Sequence, residues 1–300
     1  SKIKGTLLFS FCALTFFAGH FATFFIEPPV PSKGNADPFI FVINLTLIFL
    51  GTLYFFMQMK STNHLYEKNL IKQQRQLELQ HQELQTSHEE IQDSIRYAKR
   101  IQNGILPAAS FMKETLPQHF VLYQPKDIVA GDFYWVEKTE DKIFFAAADC
   151  TGHGVPGAMV SVICNNGLNR TVREKGITEP GEILDLTRQL VIAEFEKSEE
   201  DVNDGMDIAL CSLEPNPEKE GSQIVKYAGA NNPLWVIRKG TSEIEEYIPT
   251  RQPIGTYFKY ERYKTHLLEV SEGDLLYVFT DGFSDQFGGA RGKKYYTQNF

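Results

Sequence analysis

Three carboxylates in this 300-residue chain stand where an apolar run gives way to glycine. Asp149 ends the apolar part of FAAADCTGHGVPGAMVS, residues 145–161, and Gly152, Gly154 and Gly157 follow it. Asp132 lies in VAGDFYW, and Asp281 lies in LLYVFTDGFSD, where a strongly apolar stretch meets an acid and then Gly282. Taken singly, each is as readily a turn former or helix cap as a ligand. The shared context of core strand, abrupt acid and glycine bend points to a place where the backbone approaches a ligand closely. Hard oxygen donors without His or Cys partners select Mg²⁺ or Mn²⁺, and carboxylates sharing two such ions can hold an activated water between them. The chemistry that follows is in-line attack of hydroxide on phosphorus or on a carbonyl.

The neighbouring polar residues carry competing readings. His153, in the glycine loop, is either a general acid for a leaving serine oxygen or the donor of a structural hydrogen bond. Cys150 has no evident base, so it reads as a structural cysteine that serves the site through its backbone carbonyl rather than as a nucleophile. Asp204 and Asp207 in NDGMDIAL lie at a strand start, where one of them could approach the metal site, but read first as turn caps; Asp285 reads as a helix-start residue rather than a ligand, and Lys126 and Arg251, cations in turns, as solvated rather than as phosphate contacts. Asn231 and Asn232 before Pro233 read as a tight turn.

The elements that must position these groups follow from patterning. Strands are expected over residues 120–124, 132–138, 142–149, 206–214, 224–228, 234–238, 263–270 and 275–280, and helices over 157–175 and 180–197. Links such as KTEDK, EPNPEKEGS, RKGTS and VSEGD join consecutive strands as antiparallel hairpins rather than parallel βαβ units. The fold class is therefore mixed α/β of the α+β kind, a two-sheet sandwich flanked by helices, over residues 107–300.

Two different kinds of chain precede it. Residues 5–26 and 39–59 are apolar runs, each of about 20 residues and long enough to cross a bilayer as a helix. With Lys2 and Lys4 before the first and Lys60 and Lys68 after the second, the positive-inside rule puts both ends in the cytoplasm. His20 reads as a helix-packing or interfacial residue. Residues 60–106 turn to Gln, Glu, His, Lys and Leu, with Leu70, Leu77, Leu84, Ile91, Ala98 and Ile105 recurring every seventh position. That stripe predicts a coiled-coil signalling helix that dimerises in parallel, and the mostly polar second seam, Gln74, His81, His88, Ile95 and Gln102, makes the coil marginal and adjustable. A net charge of -8 and the absence of a Lys/Arg stripe argue against nucleic acid. The four cysteines, Cys12, Cys150, Cys164 and Cys211, show no spacing for zinc or a disulfide framework. The chain opens at Ser1 and stops at Phe300 in a polar connection, and reads as a fragment of something longer.

GDFYW, ADCTGHGVPGA, YAGANNPLWVIR and TDGFSDQFGG together resemble the PP2C-type (PPM) serine/threonine phosphatases of the stage II sporulation protein E and sigma-factor-regulating group. The resemblance covers residues 94–300 and rests on the ordered set of motifs. It implies an αββα sandwich with two Mn²⁺ or Mg²⁺ ions at one edge, hydrolysing phosphoserine or phosphothreonine without a phosphoenzyme intermediate. It makes Asp149 the bridging ligand, the Cys150 carbonyl and Asp281 further metal ligands, and Asp132 a contributor beside them. It also implies a further late Asp that this sequence does not reach, and as substrate a phosphorylated regulatory protein such as an anti-sigma-factor antagonist.

The function expected is thus a bacterial inner-membrane, multi-pass signalling phosphatase with its catalytic domain in the cytoplasm. Two alternatives stand beside it. One is a catalytically incompetent phosphatase-like scaffold. The other is a nucleotidyl cyclase, because AGDFYW is partly similar to that family's GGDEF signature, although the second acid is absent and the hairpin-rich strand order differs. A change across the spans would alter pairing of the coil, whose end would reposition a helix packed beside the metal site.

Overall fold

The structure, a computed structural model, describes residues 38–197, 204–219, 221–288 and 292–295. The chain divides into two compact units, Ser1–Glu83 and Leu84–Phe300. The expected first span, with Cys12 and His20, lies outside the described residues.

Helix α1 runs Pro38–Ile105. Among the described residues it is the one helix long and apolar enough to cross a membrane, by length and composition. Within the first unit Val42, Leu45, Phe49 and Phe56 are all exposed, as are the seventh-position residues Leu70 and Leu77. In the second unit the stripe continues with Leu84 and Ile91, also exposed, at 68% and 56%. Among the described residues the stripe is thus exposed from Leu70 through Ile91.

The second unit is a sandwich. After a short helix α2 (Ala109–Thr115) come β1 (Phe133–Lys138), β2 (Ile143–Cys150), α3 (Gly154–Asn169), a π-helical turn (Arg170–Glu174) and α4 (Pro180–Phe195). Then follow β3 (Met206–Pro215), β4 (Ser222–Ala230), β5 (Leu234–Ile237), β6 (Ile244–Tyr247), β7 (His266–Ser271) and β8 (Leu275–Val278). Two-residue strands β9 (Phe287–Gly288) and β10 (Lys293–Lys294) pair with each other. One sheet has the order β1-β2-β3-β4-β7 and the other β6-β5-β8, with every ladder antiparallel.

Alternation along the strands makes two cores, because successive side chains point to opposite faces. Phe144, Ala146, Ala148 and Cys150 of β2 pack with Ile208 and Leu210 of β3 against Cys164 and Leu168 of α3 and Ile183 and Leu184 of α4. The intervening residues Ala209, Cys211, Val225 and Tyr227 pack against Leu234 and Val236 of the smaller sheet. The layers are helix, sheet, sheet; the fourth, helical layer of the expected αββα order is not formed among the described residues.

Several expectations are corrected. Residues 120–124 join no ladder; the Tyr123 hydroxyl instead donates to the Asp132 carbonyl at 3.1 Å. Helix α3 starts at Gly154 rather than at 157, with Pro156 in its first turn, where the missing N–H is not needed. It leaves α geometry at Arg170, and the Lys175 N–H reaches back five residues to the Arg170 carbonyl at 3.1 Å. The strand expected over 263–270 begins only at His266. Strand β6 was not foreseen, because Ile244, Glu245 and Glu246 are all exposed and carry no alternation.

Candidate functional site

The register gathers the acids. Asp149 stands opposite Asp207 across β2 and β3. One step beyond the Phe133–Ala148 pair places Asp132 beside Asp149, and one step beyond Ile208–Ala230 places Asn231 beside Asp207. Asp132, Asp149, Asp207 and Asn231 thus form one row across four adjacent strands, on the face turned to the second sheet. Asp281 arrives from that second sheet, three residues after β8 ends. The Thr280 hydroxyl, at 2.7 Å from Asp132 Oδ2, ties the two sheets together at this edge.

The electrostatics record the crowding. Burial first, then the charges of Asp132 and Asp281 within hydrogen-bonding range, push the Asp149 carboxyl up to about 8. Burial and the neighbouring Asp285 raise Asp281 as well. Asp207 is raised by burial and by Asp281, against the opposing effect of Asn231 Nδ2, which donates to its Oδ1 at 2.8 Å. Like charges directly opposite on one sheet face destabilise it. The sequence nevertheless places three acids, Asp132, Asp149 and Asp207, side by side there, so Asp207 takes the lesser of its two sequence readings, an approach to the site, rather than that of a turn cap. Its parity with Ala209 and Cys211 in MDIALC was the available signal.

Glycine makes the bend possible. A Cβ on Gly131 would lie 2.6 Å from the Gly152 carbonyl oxygen and 2.9 Å from that of Cys150. One on Gly157 would strike the Gly152 carbonyl and come within 3.1 Å of Gly131 Cα. The segments bearing Asp132 and Asp149 therefore touch backbone to backbone, and Gly152, at φ +88°, takes the left-handed turn that leads from the Asp149 strand into α3.

The remaining candidates are placed as follows. The Cys150 side chain is buried on the opposite face, in the helix-side core, where burial and contact with Cys164 push its thiol well up, so it has no nucleophilic role at the acidic edge. Its carbonyl faces Gly131. His153 is exposed and hydrogen-bonds through Nδ1 to Asp127 Oδ2 at 3.1 Å. Asp285 forms an ion pair with Lys294, and its N–H donates to the Asp281 carbonyl at 2.9 Å. Asn231 does sit in a tight turn, at φ 57°. Lys126 and Arg251 are exposed.

One group was missed outright. Gln102, read from sequence as a polar seam position of the coil, is buried to 4%. Its Nε2 donates to the Ala130 carbonyl at 2.5 Å and to Ser161 Oγ at 3.0 Å, and its Oε1 accepts from the Ala130 N–H at 3.1 Å. The end of α1 is thereby bonded both to the segment entering Asp132 and to the helix leaving the Asp149 loop.

The donor set suits a hard divalent cation. It is all oxygen, and the crowding that lifts Asp149 is what such a cation would relieve. Asp132 and Asp281 both lie within hydrogen-bonding range of Asp149, yet among the described residues no group of three His, Cys, Asp or Glu side chains is arranged to hold an ion as it stands.

An α+β sandwich of antiparallel sheets with an acid-lined edge is the class that fold and site define. The family model described as Stage II sporulation protein E (SpoIIE) matches residues 139–299, over half of the chain, and the chain belongs to that family. The SiaA-PP2C domain of Pseudomonas aeruginosa is 28% identical, with a TM-score of 0.60 over 71% of this chain and 80% of that one. The PP2C phosphatase domain with a regulatory-domain fragment of SpoIIE from Bacillus subtilis is 19% identical, with a TM-score of 0.39 over 52% of this chain and 43% of that one. The PPM Ser-Thr phosphatase MsPP from Mycobacterium smegmatis, in complex with cacodylate, is 16% identical, with a TM-score of 0.35 over 50% and 72% of the two chains. No curated protein matches. The domain is phosphatase-like, of the SpoIIE/PP2C type, and the cyclase reading is left without support.

Proposed function

We propose that the chain is a divalent-metal-dependent protein serine/threonine phosphatase that acts on a phosphorylated regulatory protein in a bacterial signalling pathway. The observation that carries this reading is the acidic row on one sheet faced by Asp281 from the other. In the proposal Asp132, Asp149 and Asp281, with the Cys150 carbonyl, hold two Mn²⁺ or Mg²⁺ ions. When bound, the ions supply an activated water and neutralise charge on the phosphoryl oxygens. The chain's own residues do the positioning. Asp149 presents its carboxylate between Asp132 and Asp281, and Thr280 fixes the orientation of Asp132. Glycines 131, 152 and 157 keep side chains out of the bend. His153 is held by Asp127, a bond compatible with either of its readings, proton donor to the leaving oxygen or structural partner.

The membrane and dimer parts of the proposal rest on α1. Its apolar segment is read as one of two spans in the cytoplasmic membrane, and its exposed seventh-position stripe as the seam of a homodimeric coil. Gln102 supports coupling of that coil to the site, because rotation of the helix end must move or break its bonds to Ala130 and Ser161. The partner is read as an anti-sigma-factor antagonist or similar small domain. The test is phosphate release from a phosphoserine peptide by the full chain. Release that requires Mn²⁺ or Mg²⁺ and stops with a chelator is the expected result; no release with either metal removes the proposal.

A further inference from the structure

A groove in the second unit has a chemistry unlike the acidic edge it adjoins. Residues 248–255 are clamped along the ends of β3 and β4. Thr250 bridges Ala230, with the Asn231 N–H donating to the Thr250 carbonyl and the Thr250 N–H to the Gly229 carbonyl, both at 3.0 Å. Ile254 bridges Met206 through bonds of 3.0 and 2.8 Å. Arg251 therefore hangs from backbone fixed next to Asn231 and Asp207, two members of the row.

The chain then doubles back and is stapled to itself. Gln252, buried to 1%, accepts the Glu261 N–H at 3.1 Å and donates to the Glu261 carbonyl. The Lys264 N–H donates to Thr250 Oγ1 at 3.1 Å, and the Tyr263 hydroxyl to the Pro253 carbonyl at 2.7 Å. Between the segments lies a groove of about 650 Å³, with Arg251, Arg262 and Lys264 on it, all exposed. None of these three cations forms an ion pair among the described residues. Glu246 and Glu261 also line the groove, and Glu246 accepts a bond from Trp235 Nε1 at 3.1 Å. Three exposed cations on a preformed wall stand out in a chain of net charge -8.

The geometry points to a docking groove for an acidic segment of the protein substrate, bound by Arg251, Arg262 and Lys264 while the phosphorylated residue reaches the carboxylate edge. This deepens the phosphatase reading and rests on it. Charge complementarity selects the occupant: the chain as a whole is net negative, while this groove carries three cations against Glu246 and Glu261, so an acidic flank is steered to this rim. Arginine adds planar two-pronged donors that match carboxylates.

The test uses the full chain with Mn²⁺ and two synthetic phosphoserine peptides, identical except for three glutamates on each side of the phosphoserine in one and three glutamines in the other. The expected kcat/KM at low salt is about tenfold higher for the glutamate peptide, the preference shrinks as salt rises, and R251A/R262A/K264A brings the ratio near one. The single substitution Arg251→Ala lowers the ratio about two- to threefold, which guards against a folding defect in the triple variant. Equal hydrolysis of both peptides by the wild type, or a preference that survives the triple substitution, overturns the groove while leaving the phosphatase reading intact. Binding of phosphatidylserine vesicles without any peptide preference overturns it too. Hydrolysis of neither peptide removes the phosphatase reading, and the groove with it.

Discussion

The two faces of β2 carry opposite chemistries within one strand. Toward the helices, Phe144, Ala146, Ala148 and Cys150 are buried to between 0% and 3% in an unbroken apolar core. Toward the second sheet, Phe145 packs in the apolar inter-sheet core, but the row ends on Asp149, faced by Asp132, Asp207 and Asp281. A period of two lets adjacent residues serve stability and chemistry independently. One face is built to be stable; the other keeps acids together at a cost that is relieved by a proton on Asp149, whose carboxyl is pushed up to about 8, or by a bound cation.

That contrast can be broken from either side. If Asp149 holds the proposed ions, Asp149→Asn should lower Mn²⁺-dependent phosphate release by roughly 10²- to 10³-fold, since several kcal/mol of charge stabilisation would depend on them. The same variant should melt no lower than the wild type. Leu184→Ala, on the helical face, should do the reverse. Denaturant titration should show a loss of about 2–5 kcal/mol, with turnover per folded molecule retained. Gln102→Ala should fall between, costing about 1–3 kcal/mol for the polar groups it leaves unpaired, and shifting turnover as well because it anchors both sides of the glycine bend. A stability loss with unchanged turnover would make Gln102 a packing residue alone. The smallest effect belongs to Asp207→Asn. Thermal melts without metal should show a gain of about 0.2–1 kcal/mol from the relieved cross-strand repulsion, and calorimetry a weaker uptake of Mn²⁺.

The apolar face was readable in advance because small, alternating strands bounded by turn residues leave a strong local signal. The ends of β1 through β4 fall within two residues of where the pattern puts them. Asp132, Asp149 and Asp281 were equally visible as acids that interrupt apolar runs. Asp207 was visible only as the weaker of two readings, because cross-strand register is a property of two distant segments, and its local context, NDGMD, looks like a turn. Gln102 was hidden for the opposite reason. It fits a helical repeat, and only the folded neighbours Ala130 and Ser161 reveal that its amide is used. Residues 120–124 misled because an apolar run can be extended without finding a ladder, here with Phe120 lying edge-on to Tyr277 at 6.0 Å between ring centres. Strand β6 went unseen because an edge strand with Ile244, Glu245 and Glu246 exposed has no buried face to print a pattern.

The central claim is that the acidic edge exists to hold divalent cations. It is tested most directly by isothermal titration of Mn²⁺ into the full chain and into its Asp149→Asn variant. Saturable uptake by the wild type that is lost or strongly weakened in the variant is the predicted result. No uptake, or equal uptake by both proteins, would contradict the account, and absence of uptake would favour a phosphatase-like scaffold instead.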